Sequence, residues 1–131
     1  MQDPAHLLPT NPDQSVVLVV DDEVMIVNIA RIALEGEGHF VLTAQNGEEA
    51  LDLSRKFPSS IHLLVTDVQM PKMDGLELRE RFTVERPGVK VLLMSGKVDA
   101  PVDDCPFLRK PFHIAALKET VRQLLPSSAS A

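Results

Sequence analysis

Short apolar segments alternate with amphipathic segments along most of the chain. Five of the apolar segments are nearly continuous, which is typical of strands that are buried on both faces of a parallel sheet. These segments are Val16–Val20, Phe40–Ala44, Ile61–Thr66, Val89–Met94 and Cys105–Leu108. Because segments with helical periodicity separate most of them, the pattern predicts βαβ units and a three-layer α/β sandwich.

Four segments carry signals for helices. We predict them at Met25 to Glu37, Asn46 to about Phe57, Asp74 to about Glu85, and about His113 to Leu125. The second and third open with residues typical of capping boxes, with Asn46 and Asp74 as the caps, and Gly38 is a stop signal for the first. Periodicity predicts two buried faces, which consist of Ile26, Ile29, Ala30 and Ala33 in the first helix and Ile114, Leu117, Val121 and Leu124 in the last.

One connection is too short for the same alternation. Only nine residues lie between Ser95 and Cys105, and they include Pro101. A parallel crossover with a helix needs about ten to twelve residues or more. Proline also disfavours helix at the residue before it, so we expect the helix between the fourth and fifth strands to be absent or shortened to about one turn.

Composition and charge narrow the class of protein. The 131 residues suit one domain, which we place at residues 16–125 between a flexible arm, residues 1–15, and a tail, residues 126–131. The net charge of −6 and the lack of a dense basic run argue against nucleic-acid and membrane-surface binding. No apolar run could span a bilayer, and the single cysteine, Cys105, suits a reduced compartment, so we expect the cytoplasm.

Polar side chains follow the predicted strands at one edge of the sheet. Asp21 and Asp22 follow the first strand and Asp67 follows the third, while Ser95 ends the fourth and Lys110 follows the fifth. If the strand order is 2-1-3-4-5, the first and third strands flank the point where the winding reverses, and ligands bind in the crevice there. The three carboxylates and one lysine sum to −2, which a Mg²⁺ ion with its preference for oxygen ligands would neutralise. A carboxylate beside such an ion and a lysine can accept a phosphoryl group.

Four blocks at these strand ends resemble the receiver domain of two-component response regulators. They are Val20-Asp-Asp-Glu23, Asp67-Val-Gln-Met-Pro-Lys-Met-Asp-Gly75, Met94-Ser95-Gly96 and Phe107-Leu-Arg-Lys-Pro-Phe112. The resemblance covers nearly all of residues 16–125 in order. It implies a flavodoxin-like sandwich with a five-stranded parallel sheet and a switch that works by phosphorylation.

The resemblance also implies a role for each matched residue. Asp67 is expected to be the phosphoacceptor, with Mg²⁺ held by Asp67, Asp22, Asp21 and the backbone carbonyl of Gln69. Ser95 is expected to bond a phosphoryl oxygen as the switch hydroxyl.

At the fifth strand, Lys110 is expected to pair with the phosphoryl group, and its bond to Pro111 is expected to be cis. Phe107 occupies the position of the switch aromatic. Gln69 and Lys97, two residues past Asp67 and Ser95, are expected to tune dephosphorylation.

Taken singly, several of these residues have ordinary structural explanations. Asp21 and Asp22 could cap a helix, Asp67 could belong to a turn, and Phe107 could be a simple core residue. Asp74 is expected only to cap the third helix. Their joint placement at one sheet edge favours the functional interpretation.

The implied phosphodonor is a sensor histidine kinase or a histidine phosphotransfer protein, and the downstream protein target is not specified. The chain could be free-standing or a receiver cut from a hybrid histidine kinase. Two alternatives of a different class are an aspartyl-phosphate hydrolase, which would need an acid where Gln69 stands, and a pseudo-receiver used only as a scaffold. Without the fourth helix of the family, the usual dimer surface is incomplete, so we expect a monomer or an atypical dimer that uses the first helix.

Overall fold

A computed structural model describes residues 9, 13–96 and 104–125. Five parallel strands form one sheet, and they are β1 (Val16–Val20), β2 (Phe40–Ala44), β3 (Leu63–Asp67), β4 (Lys90–Ser95) and β5 (Phe107–Arg109). The order across the sheet is β2-β1-β3-β4-β5, as predicted. The register pairs Val20 with Ala44 in β2 and with Thr66 in β3, so the carboxyl ends of the central strands lie side by side.

The described residues form four helices, α1 (Val24–Gly36), α2 (Gly47–Lys56), α3 (Gly75–Glu85) and α4 (Ile114–Leu124). The predicted caps are confirmed for two of them. Asn46 accepts a hydrogen bond from the Glu49 amide and Asp74 accepts one from the Glu77 amide, each at 2.8 Å. These side chains satisfy donors that the first turn of a helix leaves without a partner, which fixes where α2 and α3 begin.

Two apolar cores lie on opposite faces of the sheet. Alternate residues of the central strands point to each face, and so these strands are buried on both sides. One core contains Ala30 and Leu34 of α1 with Leu117 of α4. The other contains Leu51 of α2 and Phe82 of α3. This arrangement is the predicted three-layer sandwich.

The predicted buried faces of α1 and α4, the first and last helices, were partly wrong. In α1 the buried residues are Val27, Ala30, Ala33 and Leu34, whereas Ile29 is 38% exposed. The face that packs on the sheet is therefore centred between Ala30 and Val27, and an apolar stripe that includes Met25 and Ile32 stays in solvent. In α4, only Leu117 and Val121 of the predicted stripe are fully buried, and Ile114 is exposed.

No helix lies between β4 and β5 among the described residues. The segment in which the shortened helix was expected includes residues 97–103, which lie outside the described residues, as do most of the expected arm and the expected tail. None of the described helices combines the length and the apolar character that crossing a membrane requires.

Candidate functional site

Three acidic residues meet where β1 and β3 end. Asp21 directly follows β1, Asp67 is the last residue of β3, and Asp22 lies beside them at the surface. One carboxylate oxygen from each lies within 4.8 Å of the others. Asp21 and Asp67 are buried while Asp22 is exposed, so the cluster opens to solvent on the side of Asp22.

The local backbone explains why Asp21 points into the cluster. The amide of Asp21 donates to the Ala44 carbonyl, which continues the pairing of β1 with β2 by one residue. Its Oδ1 accepts a hydrogen bond of 2.9 Å from the Glu23 amide. The cap residue of α1 is Glu23, which makes no side-chain cap. The acidic pair is therefore not the helix cap that Asp21 and Asp22 could have been.

Lys110 brings a positive charge to the same place from β5. Its Nζ lies 2.7 Å from Asp21 Oδ2 and 3.4 Å from Asp67 Oδ2. The Lys110 amide donates to the Ser95 carbonyl at 2.8 Å, which anchors the residue next to the end of β4. The peptide bond from Lys110 to Pro111 is cis, as the resemblance implied. The predicted residues of strands one, three, four and five thus converge on one edge of the sheet.

Burial and like charge act together on the two buried carboxyl groups. Burial raises the pKa of Asp21 above its usual value, although the nearby Lys110 opposes this. Burial also raises the pKa of Asp67, and the negative charge of Asp21 adds to the rise. Desolvation is the largest single influence on the pKa of Lys110 and lowers it. The hydrogen bonds and charge interactions with the carboxylates together outweigh desolvation, so the pKa of Lys110 is raised. The pocket therefore holds more negative charge than one lysine compensates.

The donors at this edge fit a small, hard cation. Asp67 Oδ1 is buried and has no hydrogen-bond partner among the described residues. Buried polar atoms without a partner are rare because the cost of removing them from water is not recovered. The available ligands are carboxylate oxygens, which Mg²⁺ prefers, and the described residues show no cluster of histidine or cysteine with them.

Close packing holds the loop after β3 against the acidic cluster. The Gly75 amide at the start of α3 donates to the Val68 carbonyl at 2.9 Å. A Cβ atom on Gly75 would lie 2.2 Å from the carbonyl oxygen of Asp67, so only glycine allows this approach. The first turn of α3 is consequently fixed directly to the residue that carries the central carboxylate.

A second polar contact joins the loop after β3 to β4. The Ser95 hydroxyl donates a hydrogen bond of 3.1 Å to the side-chain oxygen Oε1 of Gln69. The Ser95 side chain is almost completely buried, whereas Gln69 is exposed. Sequence analysis singled out both residues but did not predict that their side chains contact each other.

The remaining predicted site residues divide into two groups. Phe107 is half-buried and packs against the core on the α2 and α3 face, so it lies beside β4 opposite Leu93. Lys97 lies outside the described residues. Sequence reasoning missed Glu23, whose Oε1 lies 3.3 Å from Lys110 Nζ. The signal that could have identified it is its place as the third acid after β1, within reach of the same lysine.

The comparisons with known proteins agree with this geometry. The family model for the response regulator receiver domain matches residues 17–122. The response regulator receiver protein CpdR of Brucella abortus is 35% identical over 117 residues, which make up 83% of this chain and 95% of that protein. The sensor kinase CckA of Brucella abortus is 34% identical over 116 residues, 83% of this chain but 12% of that kinase. The regulator TcrX of Mycobacterium tuberculosis is 34% identical over 118 residues, 83% of this chain and 49% of that protein.

Solved structures give the same result. The receiver domain of the hybrid histidine kinase CckA superposes with a TM-score of 0.76 at 34% identity, covering 85% of this chain and 99% of that domain. The response regulator TrrA of Thermotoga maritima, solved in complex with Mg²⁺ and BeF, has a TM-score of 0.75 at 31% identity, covering 86% of this chain and all of the other. The chain spans about half or less of the length of most of the curated relatives that it matches, and nearly all of CpdR. It belongs to the family of response regulator receiver domains.

Proposed function

We propose that residues 16–125 form a signalling switch that accepts a phosphoryl group on Asp67 from a phospho-histidine donor. The observation that carries the proposal is the buried Asp67 carboxylate, in which Oδ1 has no hydrogen-bond partner among the described residues and Oδ2 lies beside Lys110. Asp21 and Asp22 lie next to it. A carboxylate in this setting can act as a nucleophile while neighbouring charges balance what develops on the phosphoryl oxygens.

In the proposed reaction, one oxygen of the Asp67 carboxylate attacks the phosphorus of the donor's phospho-histidine. An O–P bond forms and the N–P bond breaks, and the imidazole nitrogen leaves with the electron pair and takes up a proton. Lys110 shifts from Asp21 towards the new phosphoryl oxygens, which needs little movement because its ammonium group already lies between Asp21 and Asp67. Ser95, at the end of β4, then donates a hydrogen bond from its hydroxyl to the phosphoryl group, and this new contact would set the state of the switch.

Asp21, Asp22, Asp67 and the backbone carbonyl of Gln69 would hold the Mg²⁺ ion. When bound, the ion supplies positive charge that offsets the like charges of the carboxylates and the phosphoryl group. Phe107 would act as the switch aromatic, because its half-buried ring lies on β5, the strand that pairs with the strand of Ser95. Gln69 and Lys97 would tune the lifetime of the aspartyl phosphate.

The donor would be a sensor histidine kinase or a histidine phosphotransfer protein. Support for a protein donor comes from α1, which begins next to the acidic cluster and leaves Met25 and Ile32 exposed by 75% and 62%. Exposed apolar patches of this kind mark protein–protein contacts.

The domain would assist its own phosphorylation and dephosphorylation and would turn over no external metabolite. We propose that it is a monomer or a dimer formed through α1.

Small phosphodonors test this function without knowledge of the partner. Acetyl phosphate with Mg²⁺ is expected to add one phosphate to the intact protein, as measured by mass spectrometry, and EDTA is expected to prevent it. No incorporation under any condition would favour the scaffold alternative. Turnover of a phosphomonoester such as p-nitrophenyl phosphate would favour the hydrolase.

A further inference from the structure

The hydrogen bond between Ser95 and Gln69 joins two groups that the proposed reaction uses separately. Ser95 ends β4, and its hydroxyl lies 3.1 Å from Gln69 Oε1 in the loop after β3. The backbone on both sides is fixed, because the Val68 amide donates to the Met94 carbonyl at 2.8 Å and the Lys110 amide donates to the Ser95 carbonyl at 2.8 Å. The side-chain contact is therefore the part of this junction that can change without breaking the sheet.

A serine hydroxyl carries one proton, so a hydrogen bond that it donates to one acceptor excludes donation to another. In the structure the Ser95 hydroxyl lies 3.1 Å from Gln69 Oε1, in a position to donate this proton to the carboxamide. The same proton would have to be directed to a phosphoryl oxygen when Asp67 is phosphorylated. A bond to Gln69 and a bond to a phosphoryl oxygen would therefore compete for the same proton.

We propose that the Gln69 side chain is a latch that holds the Ser95 hydroxyl in the unphosphorylated state and is released by phosphorylation. This inference rests on the proposed function, because it assumes a phosphoryl group on Asp67. The exchange favours phosphorylation overall, since a hydrogen bond to a charged phosphoryl oxygen is stronger than one to a neutral amide oxygen. The latch makes the exchange less favourable by the strength of one neutral hydrogen bond. Gln69 acts here through Ser95, so it is a positioning residue for the switch.

The consequence is a gain of function when the latch is removed. Gln69→Met keeps the length of the side chain but has no amide oxygen. It should tighten the binding of beryllofluoride with Mg²⁺ by about fivefold, the factor that corresponds to one hydrogen bond of ordinary net strength. Gln69→Asn should have the same effect, because its amide oxygen is shorter in reach by about 1.5 Å, one C–C bond, and cannot contact Ser95.

The experiment is a double-mutant cycle read by titration calorimetry with beryllofluoride at saturating Mg²⁺. The proteins are the wild type, Gln69→Met, Gln69→Asn, Ser95→Ala and the double variant of Ser95→Ala with Gln69→Met. Gln123→Met on the exposed face of α4 is the matched control for the substitution itself, and its affinity is expected to equal that of the wild type. In the Ser95→Ala background no hydroxyl is left to hold, so Gln69→Met is expected to leave the affinity unchanged.

The outcomes separate this inference from the proposed function. Wild-type protein that fails to bind beryllofluoride with Mg²⁺ contradicts the proposed function and the latch together. Wild-type protein that binds, with unchanged or weakened binding in Gln69→Met, contradicts the latch alone. An equal gain in the presence and absence of the Ser95 hydroxyl also contradicts it, because Gln69 would then act without Ser95. Wild-type affinity in Gln69→Asn would also contradict the latch, because the carboxamide would then act from a position where it cannot contact the Ser95 hydroxyl.

Discussion

Substitution of the glycine that starts α3 should disturb both the stability and the site. In Gly75→Ala the new methyl group would meet the Asp67 carbonyl oxygen at 2.2 Å and two further backbone atoms at 2.9 Å. Backbone atoms cannot rotate away as a side chain can, so the first turn of α3 has to move from the end of β3. That movement also weakens the hydrogen bond from the Gly75 amide to the Val68 carbonyl.

Other glycines in the chain provide a graded comparison. Overpacking of a well-packed site costs about 1–3 kcal/mol and a lost hydrogen bond about 1 kcal/mol, so Gly75→Ala should lower the free energy of unfolding by about 3 kcal/mol. In Gly47→Ala the three atoms nearest the new methyl group all belong to the Met73 side chain, and the nearest is its Sδ atom, which can move by rotation of the side chain, so we expect a smaller loss of about 1 kcal/mol. A Cβ atom on Gly36, the last residue of α1, would have no described atom within 4 Å, so Gly36→Ala should stabilise the protein by about 0.5 kcal/mol.

Urea unfolding followed by circular dichroism measures the three variants against the wild type. The same proteins titrated with Mg²⁺ report on the site, and only Gly75→Ala is expected to weaken binding strongly, because only this substitution displaces Asp67. Equal stability of Gly75→Ala and Gly36→Ala would refute the argument from close packing. Normal Mg²⁺ affinity in a destabilised Gly75→Ala would refute the link between the helix start and the carboxylate.

Three further predictions concern the acidic cluster, the contacts of Arg86 near the end of α2, and the exposed apolar stripe of α1. Burial raises the folded-state pKa of Asp67 above its usual 3.8, so the folded protein is less stable when pH rises above 3.8 and this carboxyl group ionises. Asp67→Asn should therefore raise the urea midpoint of the Mg²⁺-free protein at pH 7, and the difference from the wild type should shrink as pH falls towards 4. The Arg86 guanidinium donates to the Ser54 hydroxyl and to three carbonyl groups in the last turn of α2 and the loop after it. Arg86→Met should therefore lower the free energy of unfolding in urea by about 2 kcal/mol, while substitution of the exposed Arg81 by Met should leave it near the wild-type value. Ile32→Asp on α1 should stay within about 0.5 kcal/mol of the wild type and keep labelling by acetyl phosphate, but should reduce phosphoryl transfer from a phospho-histidine protein.

The parts of the fold that follow from apolar patterning alone were predicted well. β1 and β2 have the predicted bounds, because every apolar residue of those runs takes part in the ladder. β3 begins at Leu63, although the predicted run started at Ile61. Ile61 is buried against the core, but the ladder starts only after His62, whose ring accepts a hydrogen bond from the Val16 amide. Apolar character predicts burial, and burial does not require a place in the ladder.

The site shows a similar division. The meeting of Asp21, Asp22 and Asp67 was predictable, because the carboxyl ends of neighbouring parallel strands lie at one edge of a sheet. Contacts that depend on the orientation of a long, flexible side chain were not predicted. Glu23 reaches Lys110 and Gln69 reaches Ser95 across different loops, and no sequence spacing specifies either contact. The first helix was expected as an interaction surface, but the residues of it that stay exposed, such as Met25 and Ile32, were not predicted. Helical periodicity locates an apolar stripe but not how much of it the sheet covers.

Transfer of a phosphoryl group to Asp67 is tested most directly by locating the phosphate after treatment with acetyl phosphate and Mg²⁺. Peptide mass spectrometry of the wild type should place one phosphate on the peptide that contains Asp67. Asp67→Asn should gain none, because an amide is too poor a nucleophile to accept the group. A phosphate retained in Asp67→Asn, or located on another residue of the wild type, would contradict Asp67 as the phosphoacceptor.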